Sequence, residues 1–236
     1  MIGLIIALNN KCNFTKEDFL TYQESLQKIK TNHQMILCPS NIFLSYYNLD
    51  HMALGSQNVS KTTSGAYTGE ISAEQLNSFN VKYCIVGHSE RRNYQQENNK
   101  DINEKIKRLF SYNITPILCI GETETERKNN LVDKVLTEEL TEAIKELPEE
   151  QQNKIIIAYE PIWSIGTGII PTNDEIIEVI EIIKKTLPQN KILYGGSVNL
   201  ENIDELQEIT NLDGYLLGGL SLRANDLEKF VKKLKN

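Results

Sequence analysis

The sequence predicts an α/β fold, a single (β/α)8 barrel spanning residues 1–236, from three observations. Short apolar runs recur at regular intervals, amphipathic segments separate them, and unusual polar and glycine residues stand just past the runs' carboxyl ends. The runs are GLIIAL (3–8), MILCP (35–39), HMALG (51–55), YCIVG (83–87), TPILCI (115–120), KIIIAYE (154–160), KILYG (191–195) and GYLLGG (214–219), eight in all. Nearly continuous apolar character marks strands covered on both faces, as in a parallel sheet. Their alternation with helices implies crossover connections, and eight units of about thirty residues fit a closed barrel. An open doubly wound sheet has the same periodicity. The strand-end residues favour the barrel, in which all such loops open on one rim.

The helices are signalled by caps and by period. In the first connection Thr15 can cap a helix whose Tyr22, Leu26 and Ile29 fall on one side. Thr172-Asn173-Asp174-Glu175 reads as a capping box, followed by one face of Ile176, Ile180, Ile183 and Leu187. The last segment repeats the pattern with Leu227, Phe230 and Leu234, whereas ELPEEQQNK (146–154) reads as a charged connector too short to divide domains.

Composition bounds the function. The chain is 40% hydrophobic, which suffices for a sizeable core, and its formal charge of -7 argues against nucleic acid, which wants a basic face. A small anion is still admissible, because a pocket's field is set by its nearest donors and cations. Cys12, Cys38, Cys84 and Cys119 are scattered without metal spacing or disulfide density, so reduced thiols are expected. MIGLIIAL (1–8) lacks a preceding basic segment and a following cleavage site, and no apolar run reaches membrane-spanning length. The expectation is a cytoplasmic protein with no membrane partner.

At the strand ends stand Asn9 and Lys11, Gln57 and Asn58, His88-Ser89-Glu90, Glu122, Glu160, Gly195-Gly196-Ser197 and Gly218-Gly219. Two glycine pairs in consecutive loops suit a phosphate, since bare amides at a helix start hold anions; a single pair would merely end a strand. Ser197 lacks the G-x-S-x-G elbow, and Gly166-Thr167-Gly168 lacks a third glycine for a dinucleotide loop. His88 is by default a structural residue, but a helix starting at Ser89 would aim amides at its ring and disfavour the imidazolium. Glu160 leaves an apolar strand for a loop rich in hydrophobics, where desolvation should raise its basicity; otherwise it is an ordinary turn. Lys11 is a mobile cation or a surface lysine. Base, neutral electrophile, cation and phosphate cradle together describe proton abstraction beside a carbonyl in a small phosphorylated substrate.

CIVGHSERR (84–92), AYEPIWSIGTG (158–168), YGGSV (194–198) and Gly218-Gly219, with N-x-K at 9–11, GAYTGE at 65–70 and CIGE at 119–122, run in order from first strand to last. This ordered set resembles the triosephosphate isomerase family over nearly the whole chain. The resemblance implies a TIM barrel that interconverts dihydroxyacetone phosphate and D-glyceraldehyde 3-phosphate in glycolysis and gluconeogenesis, with no cofactor and no metal. It implies Glu160 as base, His88 as electrophile and Lys11 as electrostatic stabiliser. Asn9, Lys11, Gly166, Ser197, Gly218 and Gly219 would bind substrate, with Glu90 supporting the site. It further implies a lid over 161–171, and a homodimer with contacts at Cys12, Thr68, Glu70 and Arg91, Thr68 reaching the partner's pocket and Glu70 meeting Arg91 across the interface. Three departures from the family pattern stand out: Ile169-Ile170-Pro171 in the rear hinge, Asn10 in place of tryptophan, and Cys12 in place of methionine. A barrel that binds a phosphorylated metabolite without catalysis, and another phosphate-binding barrel enzyme, are the competing readings. Retention of Lys11, His88 and Glu160 together counts against both.

Overall fold

A computed structural model describes residues 3–164 and 169–235. Eight parallel strands close on themselves: β1 (Ile5–Asn9), β2 (Gln34–Cys38), β3 (Ala53–Ser56), β4 (Tyr83–Val86), β5 (Thr115–Ile120), β6 (Ile156–Tyr159), β7 (Ile192–Tyr194) and β8 (Gly214–Leu217). Pairing of Ile5 with Gly214 and of Leu8 with Leu217 joins the first strand to the last, which excludes the open sheet. Between the strands lie α1 (Lys16–Leu26), α2 (Ala73–Ser78), α3 (Ser89–Gln95), α4 (Asn99–Phe110), α5 (Glu124–Lys128), α6 (Val132–Ala143), α7 (Glu149–Gln152), α8 (Asn173–Thr186) and α9 (Ile203–Leu206), with α10 (Ala224–Lys233) closing the described chain. Short 3-10 turns occupy Asn41–Tyr46, Ile162–Ser164 and Gly219–Leu222.

Two cores follow from the two-residue period of a strand. Ile5, Ala7, Ile36, Cys38, Ile85, Ile117, Cys119, Ile156, Ala158, Leu193 and Leu216 fill the barrel's interior. The alternate residues, such as Ile6, Leu8, Leu37 and Ile157, pack outward with Phe19, Ile106, Leu136, Ile180 and Phe230 of the helices. Strands buried on both faces read as continuous apolar runs for this reason.

Caps fix where the helices begin. Thr172 accepts from the Glu175 amide while Glu175 reaches back, as expected, and Thr15 forms the same reciprocal pair with Asp18. Ser72 with Gln75 and Thr123 with Glu126 add two boxes that the sequence reading passed over. Residues 146–154, read as a connector, contain the single turn α7 started by Pro148. The third strand is Ala53–Ser56 and not 51–55, because its pairing with β4 runs through Gly55 and Ser56.

Candidate active site

The carboxyl ends of the strands surround a cavity of about 310 Å³. Asn9 and Lys11 enter it from β1, His88 from β4, Glu160 from β6, Gly195–Val198 from β7 and Gly218–Leu220 from β8. Of the expected catalytic and substrate-binding residues, all that are described line this one space. Gly166, with the lid tip 165–168, lies outside the described residues.

Glu160 and His88 meet although 72 positions separate them: Glu160 Oε1 lies 3.1 Å from His88 Nε2. Both are buried, at 3% and 5% exposure. The strand end admits Glu160 because Gly121 and Gly195 give it room. A Cβ on Gly121 would overlap the Glu160 carbonyl oxygen, and one on Gly195 would stand 3.0 Å from Glu160 Cγ. Ser89 N donates to Glu160 Oε2 at 3.3 Å. His88 caps α3, and its Nδ1 accepts the Glu90 amide at 3.2 Å. An Nδ1 that accepts leaves the ring hydrogen on Nε2, facing Glu160.

The electrostatics differ from expectation at both residues. Burial alone would raise the Glu160 pKa and lower that of His88. The contact between them outweighs burial, so Glu160, helped by the Ser89 amide and Lys11, is held below the usual carboxylate value, and His88 above the usual imidazole value. Desolvation does act on Glu160 as the sequence suggests, but the His88 contact outweighs it. The Glu90 amide at Nδ1 acts on the ring in the opposite sense, favouring its neutral form.

Lys11 is held by its backbone as much as by its charge. Its φ of 52° is left-handed, a conformation costing a non-glycine residue about 1–2 kcal/mol. Lys11 N donates to Asn9 Oδ1 at 3.0 Å, and Gln57 Nε2 donates to Lys11 O at 2.9 Å. Lys11 Nζ reaches Glu90 Oε1 at 2.7 Å, so Glu90 steers the ammonium toward the rim. A Cβ on Gly218 would press Lys11 Cε at 3.3 Å, so the missing side chain is what lets the lysine lie against the glycine loop.

Several neighbours make contacts that sequence reasoning did not give. Cys119 ends an inward-facing alternation in β5 and lies against Glu160; burial first, then that carboxylate, push its thiol pKa well up and keep it protonated. Glu122 does not line the cavity but holds the Ile162–Ser164 turn. Its Oε1 accepts from Trp163 Nε1 at 2.7 Å, Arg127 Nε at 2.7 Å and Tyr159 Oη at 3.2 Å. Ser197 Oγ donates to Ser164 O at 3.0 Å, tying the β7 loop to the same turn. Asn58 also turns elsewhere, accepting from Lys105 Nζ at 2.7 Å.

Cys12, Thr68 and Glu70 are exposed, and Arg91 is half-buried. Glu70 and Arg91 line a second cavity, of about 290 Å³, within one chain, and Arg91 Nε donates to Glu97 Oε2 at 2.7 Å. Among the described residues no group of three or more His, Cys, Asp or Glu could hold a metal, and no helix is long and apolar enough to cross a membrane.

The closed barrel, with Glu160, His88, Lys11 and two glycine loops on its carboxyl rim, defines a TIM-barrel protein. The family model described as Triosephosphate isomerase matches residues 4–234. Curated relatives named triosephosphate isomerase include those of Clostridium novyi (39% identity, covering 96% of this chain and 97% of the relative) and Clostridium tetani (38%, 96% and 95%). That of Mycoplasmopsis agalactiae is 40% identical, covering 93% of this chain and 88% of the relative. The chain belongs to the triosephosphate isomerase family.

Proposed function

We propose that this protein interconverts dihydroxyacetone phosphate and D-glyceraldehyde 3-phosphate as a homodimeric cytoplasmic enzyme of glycolysis and gluconeogenesis. The reading rests chiefly on one observation, the 3.1 Å contact of His88 Nε2 with Glu160 Oε1 beside Lys11 and the glycine loops. A bound triose phosphate places its carbonyl oxygen on His88 Nε2 and its adjacent carbon before Glu160. This separates the pair. Once Glu160 no longer faces the ring, burial and the Glu90 amide leave His88 a neutral donor, and burial leaves Glu160 a stronger base.

Glu160 then takes a proton from the carbon next to the carbonyl, the electron pair forms the enediolate double bond, and charge develops on the carbonyl oxygen. His88 Nε2–H and the Lys11 ammonium stabilise that oxygen. Proton return from Glu160 to the neighbouring carbon, with proton exchange between the two oxygens, completes the isomerisation. Gly218, Gly219 and Ser197, with Gly166 of the lid, hold the phosphate, and Asn9 fixes Lys11. Closure of 161–171 excludes water and protects the enediolate. The exposed loop bearing Thr68 and Glu70, with Cys12 and Arg91, forms the dimer contact.

The test is turnover of purified protein in a coupled isomerase assay, with Glu160→Gln as control. Loss of a general base lowers kcat by about 10³-fold or more while KM stays within a few fold. Inactive wild-type protein, or near-normal turnover by the variant, rejects the reading.

A further inference from the structure

Asn10 is fully buried (0% exposed), at the position where the family pattern has tryptophan. It stands between Asn9 and Lys11, which both line the cavity, and its side chain turns the other way, toward the β8 loop. Asn10 Nδ2 donates to Ser221 Oγ at 3.3 Å. Ser221 Oγ in turn lies 2.6 Å from Gly218 O and 3.2 Å from Asn9 O, and Ser221 N donates to Gly218 O at 2.9 Å. The Tyr22 phenol closes the set, donating to Ser221 O and touching the Asn10 amide. One buried polar knot therefore ties the backbone that carries Lys11 to the backbone that carries Gly218.

The knot is maintained at a cost. Asn10 Oδ1 has no hydrogen-bond partner among the described residues, and a buried acceptor left so destabilises a fold. An apolar side chain of similar volume would remove that cost. What Asn10 supplies instead is its donor side. We propose that Asn10 is a positioning residue that, through Ser221, sets the spacing between the Lys11 ammonium and the Gly218–Gly219 anion cradle. This rests on the reading of the cradle as a phosphate site. Asn10 itself touches no substrate; it acts by holding two loops at one separation.

The test measures inorganic phosphate affinity by calorimetry, together with KM, kcat and Tm, in wild type, Asn10→Leu, Ser221→Ala and the double variant. Phosphate affinity is read without turnover, so an inactive wild type would sink the functional proposal and leave this one to be judged. The loss of one hydrogen bond to a charge-positioning loop should weaken phosphate binding about tenfold. KM should rise by a similar factor and outpace any fall in kcat, and the Asn10→Leu Tm should hold or rise. The double variant should again lose about tenfold, not a hundredfold, because both residues act through one knot. Phosphate affinity within twofold of wild type in Asn10→Leu overturns the proposal, whatever the Tm. Should Asn10→Leu not fold, Ser221→Ala decides: weaker phosphate binding with an unchanged Tm supports the knot, and unchanged binding refutes it.

Discussion

Two buried ionic clusters of this barrel are built from the same chemistry and do opposite things. At the rim, Glu160 faces His88, and both border a cavity that a ligand can enter. Beside it, Glu97 is enclosed by Arg91 Nε at 2.7 Å, by Lys105 and by the Gly87 amide at 3.2 Å. Burial would raise the Glu97 carboxyl, but its two cations hold it below the usual range, whereas burial keeps the Lys105 ammonium below its own. Glu97, Arg91 and Lys105 also line the second cavity, but there the carboxylate is held by two cations at once. The difference teaches that a buried charge becomes functional when one side of it is replaceable. In the proposed reaction the His88 contact of Glu160 gives way to substrate, whereas Glu97 keeps its two cations.

Breaking the enclosed cluster should therefore cost stability and not chemistry. Glu97→Gln leaves Lys105 and Arg91 without their carboxylate, a loss of about 3–5 kcal/mol by denaturant unfolding. The kcat of the protein that remains folded should stay within a few fold. A stable but inactive variant would place Glu97 in the reaction and erase the distinction.

A third buried carboxylate sharpens the comparison through pH. Glu139 accepts the Gly121 amide at 3.0 Å and faces Arg92 at 3.2 Å, yet burial pushes its pKa up to about 7. Because the folded value exceeds the unfolded one, its stabilising contribution is full below about pH 4.5 and fades as pH rises through about 7. The whole shift is worth about 3 kcal/mol. Glu139→Gln should flatten the decline of Tm across that window relative to wild type. Parallel curves for the two proteins would show that Glu139 is ionised throughout.

The smallest expected effect concerns the lid. Pro171 restricts both its own φ and Ile170, so Pro171→Ala should alter kcat by a few fold through closure or product release, with Tm nearly unchanged. Identical kinetics would show that the rear hinge does not limit turnover.

The reactive half of this comparison was legible in the sequence, and the enclosed half was not. Lys11, His88, Glu160, Ser197 and Gly218 stand where an apolar strand ends, a place at which a charge or a glycine is conspicuous. Closure of the sheet then brings those ends together. Glu97 and Lys105 sit within the polar stretch QQENNKDINEKIK, where nothing marks one charge as more buried than the next, and only the folded chain shows both enclosed. The direction of the His88 and Glu160 shifts was hidden for a related reason: each depends on a partner 72 positions away that desolvation arguments on either residue alone omit. Asn10 was noticed as a departure, but its partners Tyr22 and Ser221 come from opposite ends of the chain, brought together where β1 pairs with β8.

The most direct measurement is solvent deuterium exchange into dihydroxyacetone phosphate, followed by NMR, for wild type and Glu160→Gln. If Glu160 is the group that removes the carbon-bound proton, wild-type protein incorporates deuterium at the carbon beside the carbonyl. The variant does so at least about 10²-fold more slowly, while binding inorganic phosphate as tightly as wild type. Exchange by Glu160→Gln within a few fold of wild type would contradict the account.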